Sequence, residues 1–427
     1  MRHKNGGNEI ETLTGGGGYY GRMSSKSEPP DGPFGPLAPH IDGYLAQVKE
    51  QGYAVGSIYE QVCALKMFGR WLKRTDRGVQ DLNESATREF LCHLEPGYPK
   101  NAAPTTLQRL LAMLRRIGII PEAQAARSSP SEQLLCTYER FLLEERNLVP
   151  QSVVHLRRFA SRFLSEKFGD GRLNLSKLRA PDATSFVQRH AHRYGSAEAR
   201  KLVSATRSFL RYLHYKGLVD TDLSVAVPKV ARWSLSTLPK HLPAAQVRQV
   251  LQHCDRSTPL GRRNYAILLL LARLGLRAGE VVRLNLEDID WENARITVCG
   301  KGGKWAQLPL PADAARATAR YLHWDRPRCA CRRVFIRDYA PIGGFSRAGA
   351  IAKIVQCALE KAGVVSGRKG AHLLRHSLAT DMLRKGASLD EIGEVLRHKS
   401  PDSTAIYAKV DLQALRALAL PWPGGAR

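Results

Sequence analysis

The chain has 427 residues, 43% of them hydrophobic, which is room for about two to three domains with ordinary cores. Lysine and arginine number 65 against 39 acidic residues, a net charge of +26, and a surplus that large points to a polyanionic partner, nucleic acid first. The longest apolar run, "AILLLLARLGL" from Ala266, is about half of a bilayer span and is broken by Arg273, which excludes a membrane anchor there and reads as a buried core helix.

In chain order, residues 1–37 are rich in Gly, Ser and Pro and lack the apolar core of a signal peptide, so they are expected to be a disordered leader on a cytoplasmic protein. The eight cysteines lie scattered in apolar stretches, which suits a reducing compartment. Residues 38–121 place Tyr59, Val62, Leu65, Phe68 and Leu72 at helical spacing. A related pattern returns over 131–225, where Ser152 and Phe163 fall where Ser57 and Phe68 fall in the first copy, and the spacing predicts a duplicated small helical bundle. The second copy carries Arg157, Arg158, Arg162, Arg200, Lys201, Arg207 and Arg211, either a DNA-facing surface or a solvated charged face. A Pro-punctuated linker, 226–243, precedes a third domain over 244–427.

Within that domain, the buried helix at 263–274 breaks at Gly275, and "RAGEVVRLNLEDIDW" reads as a short second helix. "ARITVCG" and "KWAQLPL" alternate at period two around "GKGG", which predicts a β-hairpin with lysine on either side of its glycine tip. Helix "PADAARATARYLHW" follows, Ser388 and Glu391 form a capping box, and Ser400 and Pro401 open a helix expected to hold Tyr407. The fold class is therefore mainly α with a small β-sheet. The pair Cys329 and Cys331 near His323 would be half a zinc site, but no second pair completes it, so no metal is expected.

Six residues draw attention as a set: Arg277, Lys301, His372, Arg375, His398 and Tyr407. Each alone has a bland explanation, as a helix ion pair, an exposed hairpin lysine, a core histidine or a packed tyrosine. Together they are what a phosphoryl transfer without metal requires. His372 and Arg375, three apart, share a helix face. Guanidiniums suit the charge that develops on non-bridging phosphate oxygens, and a phenol must lose its proton as it attacks while the leaving alkoxide gains one.

"LGLRAGEVVRL", "GKGGK", "HLLRH" and "LRHKSPDSTAIYAKV", in this order, resemble the successive motifs of the tyrosine recombinases, the phage integrase family, and "LPKHL" is similar to the family's interdomain linker. The resemblance covers 131–427 and extends weakly to the first bundle. It implies two N-terminal helical bundles of the SAM-like core-binding type ahead of a catalytic domain. It implies that Tyr407 forms a 3′-phosphotyrosyl link, that Arg277, Arg375 and His398 hold the phosphate, and that Glu280 orients Arg277. By the same resemblance Lys301 protonates the leaving 5′ oxygen and His372 acts as general base and then acid. No cofactor is implied. The implied partner is double-stranded DNA, bound by tetramers across two sites, with accessory DNA-binding proteins where a particular system uses them. Two rivals stand beside a mobile-element integrase: a type IB topoisomerase and a catalytically silent DNA-binding protein. Arg397 stands where the family commonly has glycine, which leaves open an extra phosphate contact or a slowed or disabled site, and Lys304 competes with Lys301 for the acid role.

Overall fold

The computed structural model describes residues 32–94, 102–122, 129–169, 172–229, 239–300, 302–367, 369–398 and 400–410. The chain separates into two compact units, one formed by the chain up to Ile120 together with Leu235 onward, the other by Pro121–Ser234. The first bundle thus shares a unit with the C-terminal segment, and the Ile342 backbone N–H donates to the Gln51 carbonyl at 2.8 Å within it.

The first bundle consists of α1 (Ala38–Glu50), α2 (Val55–Arg74), α3 (Glu84–Cys92) and α4 (Ala102–Arg116). Its apolar stripes meet around Tyr44, Leu65, Phe68 and Phe90, and Asn83 caps α3 by accepting from the Ala86 N–H at 2.9 Å. The expected leader ends earlier than its composition suggests. Phe34 and Leu37 are buried in this core, and Gly69 lacks a side chain where the Phe34 carbonyl presses on α2, so a Cβ there would overlap the carbonyl oxygen.

The second unit has the same sequence of four helices, α5 (Pro130–Glu144), α6 (Pro150–Phe168), α7 (Ala180–Ala191) and α8 (Ser196–Tyr215), around Tyr138, Phe163, Phe186 and Phe209. Several of its arginines are engaged within the unit: Arg157 pairs with Glu132 and Glu139, while Glu198 is shared by Arg158 and Lys201. Arg207 donates to the Val227 carbonyl at 2.8 Å and Arg211 to Ser224 Oγ at 3.2 Å, and both also line an open groove of about 630 Å³ with Arg146 and Tyr215.

The C-terminal segment is built on α10 (Pro259–Leu274), which follows α9 (Ala244–Gln252) and is buried along nearly its whole length. Its core also takes in Leu242, whose N–H donates to Ser377 Oγ at 2.8 Å and so fixes the chain's entry to this segment. Helix α11 (Ala278–Arg283) stops sooner than expected, because Asp288 turns back to accept from the Asn285 N–H at 2.8 Å. The residues beyond become β1 (Ile289–Asp290), a third strand that the hairpin reading missed. It pairs antiparallel with β2 (Arg295–Cys299), which pairs with β3 (Trp305–Pro309) in the register Ile296 to Leu308 and Val298 to Ala306. Helices α12 (Ala312–Arg320), α13 (Ala348–Lys361), α14 (Ala371–Arg384), α15 (Leu389–Leu396) and the single turn α16 (Asp402–Ala405) complete it. Tyr407 was expected inside the last helix, but it lies two residues beyond α16. Turn-type bonds from Tyr407 N to Thr404 O and from Val410 N to Tyr407 O replace an α-helical continuation.

Candidate active site

The site begins where α10 ends. Gly275 adopts φ +56°, and a Cβ on it would crowd Leu396 and Leu378, so the chain can reverse there only with glycine. That turn sets Arg277 as the cap of α11. Its N–H and its Nη1 donate to the two oxygens of Glu280 at 2.9 and 2.8 Å, and Nη2 donates to the Arg397 carbonyl at 3.3 Å. Glu280 is fully buried. Burial alone would raise its pKa, but the Arg277 N–H, the Arg397 charge and the Arg277 guanidinium together hold it below the usual carboxylate range.

Arg375 comes from α14 and is 3% exposed. Nη1 donates to the Gly275 carbonyl at 2.5 Å and Nη2 to the Leu396 carbonyl, so one guanidinium ties the end of α10 to the end of α15. Burial first, and then Arg277 and Arg397, lower its pKa to about 9, which still leaves it charged at neutral pH. Three guanidiniums around a single buried carboxylate leave uncompensated positive charge, the electrostatic signature of an anion site.

Arg397 answers a question the sequence left open. It caps α15 with φ +56°, an unusual conformation for a residue with a Cβ, and Nη2 donates to Glu280 Oε2 at 3.0 Å. Its guanidinium is thus turned onto Glu280. In Arg397→Gly, relief of the left-handed backbone offsets the lost ion pair, while Glu280 keeps its two bonds to Arg277. We predict that its unfolding free energy stays within about 1 kcal/mol of wild type. Denaturant unfolding checks this.

Tyr407 is 1% exposed, and its phenol oxygen lies 2.8 Å from Nδ1 of His376. Burial raises the phenol pKa to about 12, against a partial lowering by Arg375. The His398 ring lies parallel to that of Tyr407, with centroids 6.5 Å apart, and its Nδ1 lies 2.7 Å from Thr404 Oγ1. An open cleft of about 330 Å³ is lined by Arg277, His372, Arg375, His376, His398 and Tyr407. Five of the six expected residues therefore meet at one cleft. Lys301 lies outside the described residues. The start of the hairpin turn is close to the site, since a Cβ on Gly300 would sit 3.7 Å from Glu280 Oε1, and the Gly300 N–H donates across the turn to the Lys304 carbonyl at 2.7 Å. His376 and Thr404 were missed. His376 stands one helical turn after His372, and that i, i+4 spacing was the available signal. Among the described residues, no three His, Cys, Asp or Glu side chains converge as metal ligands.

Burial first, and then Arg375, Arg277, His376 and Arg397, lower the His398 pKa to about 4, so its ring is neutral at pH 7. In the unfolded chain the same ring takes up a proton near 6.5, so between those values the unfolded state binds more protons than the folded state. Stability is therefore predicted to fall as pH drops from about 6.5 towards 4, and His398→Asn should remove that part of the decline. Denaturant unfolding at pH 7 and pH 5 measures it.

Residues 240–414 match the Phage integrase family. Over 404 residues, 94% of this chain and 97% of its relative, the sequence is 46% identical to the y4rA protein of Sinorhizobium fredii, named an integrase/recombinase. It is 32% identical to the tyrosine recombinase XerD of Mycobacterium tuberculosis over 67% of this chain and 95% of that protein. In fold it is similar to a XerH site-specific recombinase bound to a palindromic difH substrate, with TM-score 0.54 and 19% identity over 70% of this chain and 98% of that one. The family match over residues 240–414 and a relative 46% identical over nearly the full length of both chains, on a chain whose cleft unites these arginines, histidines and tyrosine, establish that it belongs to the phage integrase family of tyrosine recombinases.

Proposed function

We propose that this DNA-cleaving and rejoining enzyme acts as a site-specific recombinase of a mobile element, through a 3′-phosphotyrosyl intermediate and without metal or ATP. The observation that carries the reading is the meeting of Arg277, Arg375, His398 and Tyr407 at one cleft whose net charge is positive. The arginines take the scissile phosphate, because each guanidinium keeps N–H groups beyond those spent on protein carbonyls and on Glu280. Glu280 positions Arg277. Neutral His398 donates from Nε2 to a non-bridging oxygen, with Thr404 directing its ring through Nδ1.

Tyr407 Oη attacks phosphorus in line, and the bond to the 5′ oxygen breaks with its electron pair. Lys301 supplies a proton to that oxygen, and a histidine of α14 takes the one lost by the phenol. Guanidiniums here supply the charge stabilisation that metal ions give in other phosphoryl transfers. The phosphotyrosyl ester keeps the energy of the broken bond, so a 5′-hydroxyl can rejoin the strand without ATP. The groove lined by Arg146, Arg207 and Arg211 is a DNA-contacting surface in this reading, and tetramers across two sites, with accessory proteins where a site requires them, exchange the strands.

Rapid denaturation of the enzyme on genomic DNA of its source organism, followed by sequencing of the protein-linked fragments, tests this. A few discrete sites support the recombinase. Diffuse adducts would turn the assignment to a topoisomerase, and no adducts despite DNA binding would turn it to a silent binding protein.

A further inference from the structure

Resting on the strand-transfer reading above, we propose that His376 is a catalytic residue that takes the phenolic proton of Tyr407 as the tyrosine oxygen attacks the DNA phosphorus. Nδ1 of His376 lies 2.8 Å from Oη, within the reach that proton transfer requires, and both groups line the cleft that holds the arginines. The phenol is buried and needs such a partner, because burial holds its proton more tightly than water would. His372, where sequence reasoning placed the base, stands one turn earlier on α14 with its ring centred 6.3 Å from that of His376. His398 lies with its ring parallel to that of Tyr407, centroids 6.5 Å apart, and uses Nδ1 on Thr404.

For this step His376 must carry its proton on Nε2 and leave Nδ1 bare, so that Oη–H donates to Nδ1. The Oη–P bond forms as the P–O5′ bond breaks, the phenolic proton passes to Nδ1, and the 5′ oxygen receives its proton from the lysine assigned as acid. The positive charge of the new imidazolium is offset by the phosphodiester that the arginines hold. In rejoining, the 5′-hydroxyl returns its proton to the lysine, and the imidazolium protonates the departing Tyr407 oxygen. His372 remains on the same helix face for work at the phosphate or the 5′ oxygen.

The test measures the initial rate of covalent adduct formation on sheared genomic DNA for wild type, H376A, H376N and Tyr407→Phe, with and without added imidazole. Asparagine places an acceptor near the Nδ1 position and lacks basicity, which separates holding the phenol from accepting its proton. H376A and H376N are expected to react about 100-fold more slowly or worse, with DNA affinity kept and with imidazole restoring rate to H376A alone. A near-wild-type rate in either variant, or a slow H376A that imidazole leaves slow, overturns the proposal. Wild type forming no adduct that depends on Tyr407 would instead remove the strand-transfer reading itself.

Discussion

Tyr407→Phe is expected to abolish covalent attachment to DNA while leaving DNA affinity nearly unchanged. The substitution removes one oxygen from a ring that is otherwise packed against Ile392, Leu396 and Ala379. Phenylalanine fills the same space, and the loss of one hydrogen bond to His376 costs about 1 kcal/mol at most. Affinity rests on the lysines and arginines that neutralise phosphates, none of which changes. The nucleophile disappears, so the effect on attachment is all or nothing. Adduct formation by denaturing gel and affinity by fluorescence anisotropy separate the two, and adducts at the wild-type rate would show that another residue attacks.

Arg375→Ala is expected to show the second large effect, a loss of about 100-fold to 1,000-fold in adduct rate with a simultaneous loss of stability. The rate falls because a preorganised donor to the phosphate oxygens is gone. Stability falls for a different reason: the Gly275 and Leu396 carbonyls, which Arg375 satisfies where α10 and α15 end, become buried acceptors without a partner, at about 1–3 kcal/mol each. Arg375→Lys tells these apart, since an ammonium keeps the charge but lacks the planar fork that serves two carbonyls and a phosphate together. Lysine should recover part of the stability and little of the rate. Single-turnover adduct kinetics beside denaturant unfolding measure both, and a lysine variant with near-wild-type rate would mean that charge alone suffices.

The parts of this arrangement that were legible in the sequence are those set by short-range periodicity. The alternation around "GKGG" gives β2 and β3, Ser388 and Glu391 make the capping box of α15, and the spacing of His372 and Arg375 puts both on one face of α14. The i, i+3 relation of Arg277 and Glu280 likewise becomes an ion pair at 2.8 Å. What escaped depends on tertiary contacts. Strand β1 is two residues long and exists because β2 is beside it, so no alternation could announce it. Tyr407 leaves the helical path because its ring is drawn into the small core of Ile392 and Leu396, a preference that helix propensity does not contain. Phe34 and Leu37 sit in a stretch whose Gly and Pro content reads as leader, yet both are buried in the first bundle's core, with the Phe34 carbonyl against Gly69.

Arg397 shows the same limit from the other side. Sequence comparison within the motif marks it as a departure and raises the prospect of a disabled site. The structure has it sharing the buried carboxylate of Glu280 with Arg277, separated from Glu280 by 117 positions in the chain. Such a pairing across two helix ends follows from the reversal at Gly275 and the left-handed cap of α15, neither of which a local pattern fixes.

Digestion of the protein–DNA adduct captured by rapid denaturation, followed by mass spectrometry, identifies the residue that attacks. A nucleotide remnant joined through its 3′-phosphate to the Tyr407 side chain is expected, on a peptide that is unmodified in Tyr407→Phe. A remnant on any other residue, or linkage through a 5′-phosphate, would contradict the 3′-phosphotyrosyl intermediate.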